Sequence, residues 1–178
     1  MTNRHQFRAN WHEYNNGTYF VTICCENHCH YLGEIISGQM MYSPIGLIAK
    51  NSLDQISTHF PDVELWNYVV MPNHIHLILH IPVKENPLFT SSLKKLGCLK
   101  PQRHNAQPDK EFHHNSRLSV IIGQFKSTVT RKAKELNIQF QWQKRYHDHI
   151  IRDRQSFIKI MNYIELNIVN WQNDCFYN

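Results

Sequence analysis

Two histidines stand two residues apart in His74-Ile75-His76. The run they open is apolar and β-branched, so it reads as a strand. Alternate side chains of a strand share a face, with Cα atoms roughly 6.5–7 Å apart. Two imidazoles at that spacing can share a divalent metal while Ile75 turns into the core; two ordinary surface histidines near a turn are the alternative. His80 has the same parity but lies four residues along, too far to join the pair, and the intervening alternate place is Ile78. Near the C-terminus, Tyr163 and Asn167 are one helical turn apart and project from one helix face, beside an apolar stripe. They could reach over the sheet edge to a site; an amphipathic helix with a half-buried tyrosine and a surface asparagine is the plainer reading. Cys25, His28, Cys29 and His30 offer zinc-type ligands, but no second pair with finger spacing follows.

The elements that must position these groups are legible from periodicity. Tyr19 to Cys25 reads as a first strand. Ser43-Pro44 reads as an N-cap with proline at the first helical position, opening a helix that Pro61 stops. Val63–Val70 and His74–Ile81 read as an antiparallel hairpin turned at Met71-Pro72-Asn73. A polar, basic stretch at 82–116 reads as a loop insertion. Then come a helix over Leu118–Asn137, a strand over Lys144–Arg152, and a helix over Gln155–Trp171 with a stripe of Phe157, Ile160, Met161, Ile164, Ile168 and Trp171. This order predicts one α+β domain over 1–178, built on an antiparallel sheet with helices crossing back over one face.

At 178 residues, 42% hydrophobic and 12% aromatic, the chain is long enough and apolar enough for one packed core. No apolar run reaches membrane-span length, and Met1–Asn10 lacks the apolar core of a signal peptide, so a cytoplasmic protein is expected. Five cysteines, two of them adjacent, do not suggest a disulfide framework. The net charge of +5 favours anionic partners. From Lys84 to Lys134, eleven Lys or Arg face three acids, a concentration that suits a phosphate backbone and also a merely solvated face.

Four ordered blocks carry a more specific signal: Gly17-x-Tyr19-Phe20-Val21-Thr22-Ile23-Cys24, Val69-Val70-Met71-Pro72-Asn73-His74-Ile75-His76, Tyr146-His147-Asp148-His149-Ile150-Ile151-Arg152, and Asn162-Tyr163-Ile164-Glu165-x-Asn167. Together they resemble the REP-associated tyrosine transposases, members of the HUH single-strand endonucleases. The resemblance runs from about Tyr14 to Trp171 and implies a ferredoxin-like antiparallel sheet with helices packed mainly on one face. It implies that His74, His76 and Asn167 hold Mg²⁺ or Mn²⁺, and that Tyr163 is the nucleophile forming a 5′-phosphotyrosine link. It implies single-stranded DNA, hairpin-forming, as the substrate. Arg8, Lys126, Arg131, Arg145 and Arg152 are the basic residues assigned to that strand, with Tyr14, Trp142 or Tyr146 as stacking partners. Each of these aromatics could equally be core, the favoured reading for Trp142. His149 is a candidate base for the tyrosine, and a structural role in its strand is an equal alternative.

The chain departs from the family pattern in two places. Ile168 follows the asparagine where many relatives have proline, and Val129 stands where some carry a helix tyrosine. Tyr163 is then the natural nucleophile, with Tyr146 the other possibility. A domesticated protein that binds DNA hairpins without cutting them is the competing function. Replication initiators of the wider HUH group often pair tyrosines on the catalytic helix, and this helix has Tyr163 alone. A homodimer exchanging that helix and a chain completing its own site are both compatible with the sequence.

Overall fold

The computed structural model describes residues 14–83 and 116–177. The chain order is β1 (Gly17–Cys24), β2 (Gly33–Ile36), β3 (Gln39–Tyr42), α1 (Pro44–Asp54), α2 (Ile56–His59), β4 (Glu64–Val70), β5 (His74–Ile81), α3 (Arg117–Glu135), β6 (His147–Ile151) and α4 (Arg154–Leu166). Strands β4, β5, β1 and β6 form, in that order, one antiparallel sheet; β2 and β3 form a separate hairpin. The architecture is α+β, as the sequence predicts. The expected basic loop at 82–116 and Arg8 lie almost wholly or wholly outside the described residues.

Alternation in β1 and β5 builds both sides of the sheet. Tyr19, Val21 and Ile23 with Ile75, Leu77 and Leu79 point to one face, where they bury against Ile45, Ala49 and Leu53 of α1 and Leu118, Ile121, Phe125 and Val129 of α3. Phe20, Val69, Ile78 and Ile151 point the other way, against Phe157, Ile160, Met161 and Ile164 of α4. The one-face packing expected of the helices therefore holds for α1 and α3, while α4 crosses the opposite face. The reason is that Phe20 and Ile78 leave that second face apolar too, and the stripe of α4 covers it.

The structure departs from the sequence reading in several places; the strand expected over Lys144–Arg152, for one, spans only His147–Ile151. The helix from Pro44 breaks at Gln55, leaving α2 as a single turn. The β2–β3 hairpin was not anticipated; its signal was Ser37-Gly38, whose φ angles of 51° and 75° fit a primed two-residue turn. The last helix ends at Leu166 rather than Trp171, followed by a turn and a 3-10 turn over Trp171–Asn173. The Met71-Pro72-Asn73 turn is as expected, with Met71 N–H donating to His74 O at 2.9 Å. No helix among the described residues is long and apolar enough to cross a membrane.

Candidate active site

His74 and His76 share a face of the central strand β5, and both are buried, at 0% and 2% exposure. Their rings stand 4.4 Å apart. Each Nδ1 is held by a neighbour: His74 Nδ1 lies 2.8 Å from Asn73 Oδ1, and His76 Nδ1 lies 2.8 Å from Thr22 Oγ1 on β1. Anchoring Nδ1 turns Nε2 inward, which is how an imidazole is oriented toward a cation. His74 Nε2 is buried with no hydrogen-bond partner. Burial holds both rings neutral: it pushes His74 down to about 2, helped by the charges of His76 and His28, and His76 down to about 4 against the opposing pull of Asp174. Their lone pairs are thus available at neutral pH.

Helix α4 brings the second half of the site. Asp153 caps it, accepting from Ser156 N–H at 2.8 Å. Its stripe fixes the helix on the sheet so that the Tyr163 hydroxyl lies 3.1 Å from His76 Nε2. Asn167 is the C-cap and is 2% exposed. The helix ends there although Ile168 follows rather than proline. Asn167 Nδ2 donates to Asp174 Oδ2 at 3.0 Å, linking the helix end to the segment that follows it.

Asp174 is the residue that sequence reasoning missed. Its Oδ2 also accepts from the Tyr163 hydroxyl at 3.1 Å. Among the described residues, His74, His76 and Asp174 are the group able to hold a metal ion, with ligand atoms within 4.8 Å of one another. Asn167 Oδ1 is buried beside them without a partner. Two neutral imidazoles, one of them with its Nε2 orphaned, an orphaned amide oxygen and a carboxylate fit a divalent cation. Tyr163 is 40% exposed, and its phenol is raised above its ordinary range, first by desolvation and then by the Asp174 charge and hydrogen bond. It stays protonated until an opposing charge is present.

No known family's sequence model matches the chain. An uncharacterized protein of Haemophilus influenzae (strain Rd) is 32% identical over 98% of this chain and 93% of its own length. The chain belongs to the same family as that protein. Among solved structures, a REP-associated tyrosine transposase bound to a REP hairpin matches 96% of this chain and 74% of its own, with a TM-score of 0.55 and 18% identity. The fold is that of the REP-associated tyrosine transposases. This bears out the resemblance carried by the four sequence blocks. A candidate transposase from Deinococcus radiodurans covers 93% of this chain at 16% identity and a TM-score of 0.40.

The transposase fold sorts the other expected site residues. Lys126 on α3 is half-buried, and its ammonium donates to Gln143 O at 2.6 Å and Lys144 O at 3.3 Å. It borders an open groove of about 630 Å³ together with Arg131, Lys134, Trp142 and Lys144. Arg131 is exposed and only loosely paired, 3.9 Å from Glu135. Arg145 and Arg152 are exposed on either side of β6. Trp142 is core, as favoured, and Tyr14 joins it there, stacked on Tyr19. Tyr146 packs on the α3 side with its hydroxyl 3.1 Å from Ser119, away from the histidine pair. The hydrogen-bond partners of the Tyr163 hydroxyl are His76 and Asp174, not His149, which sits opposite Phe20 on the edge strand. Cys24 and Cys25 are buried free thiols, Cys24 pushed up to about 12 by burial, and no zinc group forms around them among the described residues.

Proposed function

We propose that the protein is a metal-dependent nickase and strand transferase acting on single-stranded, hairpin-forming DNA. The observation that carries this reading is the Tyr163 hydroxyl, 3.1 Å from both His76 Nε2 and Asp174 Oδ2, in the same buried cluster as His74 Nε2 and Asn167 Oδ1. The tyrosine oxygen attacks the scissile phosphorus, the bond from phosphorus to the 3′ oxygen breaks, and the leaving oxygen takes a proton from solvent water to depart as a 3′-hydroxyl. Asp174 Oδ2, the carboxylate acceptor of the phenol, takes its proton. The 5′-phosphotyrosine link conserves the bond energy, so a 3′-hydroxyl attacking it reseals a strand without an external energy source. His74, His76 and Asp174, with Asn167 Oδ1, would hold the cation. When bound, it supplies positive charge at the phosphate and opposes the Asp174 field that keeps the phenol protonated. The solved neighbour is bound to a REP hairpin, which makes hairpins from the DNA flanking this protein's own gene the substrate to try first.

Those hairpins, end-labelled and incubated with Mn²⁺ or Mg²⁺, are expected to give a covalent protein–DNA adduct on a denaturing gel. The adduct should vanish in Tyr163→Phe and in His74→Ala. An adduct that survives Tyr163→Phe overturns the assignment of the nucleophile. Tight hairpin binding with no adduct under either metal identifies a domesticated binding protein instead.

A further inference from the structure

The face that carries His76 continues along β5 to His80. Thr18 Oγ1 and His80 Nδ1 are 2.9 Å apart, repeating the Thr22–His76 pairing four residues along the same two strands, beyond the Phe20–Ile78 pair. His80 takes no part in the metal group and lies under Trp66 instead, with rings 4.7 Å apart and 11° from parallel. Phe157, in the first turn of α4, meets Trp66 edge-on at 5.4 Å. The position of Trp66 is imposed by the backbone. Leu65 pairs with Leu79 and Asn67 with Ile78, so Trp66 is the extra residue of a β-bulge in the edge strand β4. Bulges re-aim side chains, and this one sets a broad aromatic over the sheet face that holds the candidate site. The indole is 43% exposed although its Nε1–H is satisfied by Glu64 at 2.7 Å.

Beside the indole opens a slot of about 480 Å³, lined by Thr18, Trp66, Ile151, Arg152, Arg154 and Phe157. Its walls are mainly apolar and both arginines are exposed. Asp153 also borders the slot, but its carboxylate is engaged by Ser156 N–H and Oγ–H.

Building on the nickase reading, we propose that this slot is a base-binding subsite. It takes one unpaired base of the DNA strand against Trp66, with the flanking phosphates on Arg152 and Arg154. A flat aromatic face next to positive charge is the combination that holds single strands, because every base has a π-face and every linkage a negative charge. The distance fits as well. Phe157 and Tyr163 are six residues apart on α4, about 9 Å along its axis, and both reach the same sheet face. That is about one to three nucleotides of a strand whose charges recur every ~3.4 Å when stacked and further apart when extended.

The test walks a single abasic site through the three nucleotides on each side of the cleaved bond in the hairpin substrate, and measures adduct formation at subsaturating DNA. In the wild type, one abasic position is expected to lower the rate about tenfold, the size of one lost stacking contact. Trp66→Ala should be slowed about as much on intact DNA and lose nothing more at that position, while Trp66→Phe recovers part of the rate. Thermal melting of both variants checks that the sheet edge is intact. Abasic penalties that are equal in wild type and Trp66→Ala overturn the subsite and leave the nickase reading standing. If no adduct forms at all, the nickase reading fails on its own account. The subsite is then read from strands carrying 2-aminopurine: quenching by wild type and not by Trp66→Phe or Trp66→Ala supports it, and equal or absent quenching overturns it.

Discussion

Thr22 and Asn73 hold the outer nitrogens of His76 and His74, so the inner nitrogens are already aimed into the candidate site. Removing one such partner while keeping the ligand typically weakens metal affinity by about 10–100-fold. Thr22→Val should therefore raise the Mn²⁺ concentration needed for adduct formation by that factor, with activity recovered at high metal. A metal requirement that does not move would show that Thr22 orients nothing. The same burial sets a pH dependence for the metal-free protein. Both histidines are held below their ordinary value, to about 2 and about 4, so the unfolded chain binds more protons than the folded one as pH falls below 6.5. Their contribution to stability is fully present above pH 6.5 and is lost as the pH falls toward those folded values. With a chelator present, the thermal midpoint should fall from pH 6.5 to 4, and less steeply in His76→Gln.

At the scale of elements, the site depends on how each helix is stopped and started. Ser43 opens α1, accepting from Gly46 N–H at 3.0 Å and donating to Tyr31 O at 2.6 Å. Ser43→Ala removes both bonds and should cost about 1–2 kcal/mol, read as a lower urea midpoint with an unchanged slope. The start of α1 was visible in sequence because Ser-Pro is a local signal. The end of α4 was not: nothing in Asn167-Ile168-Val169 marks a stop, and the contact of Asn167 with Asp174, seven residues on, is visible only in the folded chain. The bulge at Trp66 was equally hidden, since Val63–Val70 reads as an unbroken strand and only its register against β5 exposes the extra residue.

For the molecule as a whole, positive charge divides into residues that hold the fold and residues left facing solvent. Lys126 belongs to the first kind, fastening α3 to the backbone at Gln143 and Lys144; Arg131 belongs to the second. On hairpin DNA, each phosphate contact contributes about 0.7 to the slope of log affinity against log salt for a single strand. Arg131→Ala should lower that slope by about 0.7 and leave stability unchanged. Lys126→Ala should instead lower stability by about 1–2 kcal/mol, seen as a reduced unfolding midpoint without DNA.

What the sequence determined by itself is what repeats locally. The two-residue period of β5 put His74 and His76 on one face and Ile75 in the core, the Met71-Pro72-Asn73 turn paired β4 with β5, and the stripe of α4 marked it as a packed helix. Those periods follow from backbone geometry that every residue in a strand or helix shares. The meeting of Tyr163 with His76 across 87 positions was implied only by the family resemblance; tertiary structure alone decided that α4 crosses the face opposite α1 and α3 and that Asp174 joins the pair. No period encodes such meetings. They arise where two separately folded surfaces are pressed together to bury apolar area, and the polar groups at that seam find their partners only once the chain has closed on itself.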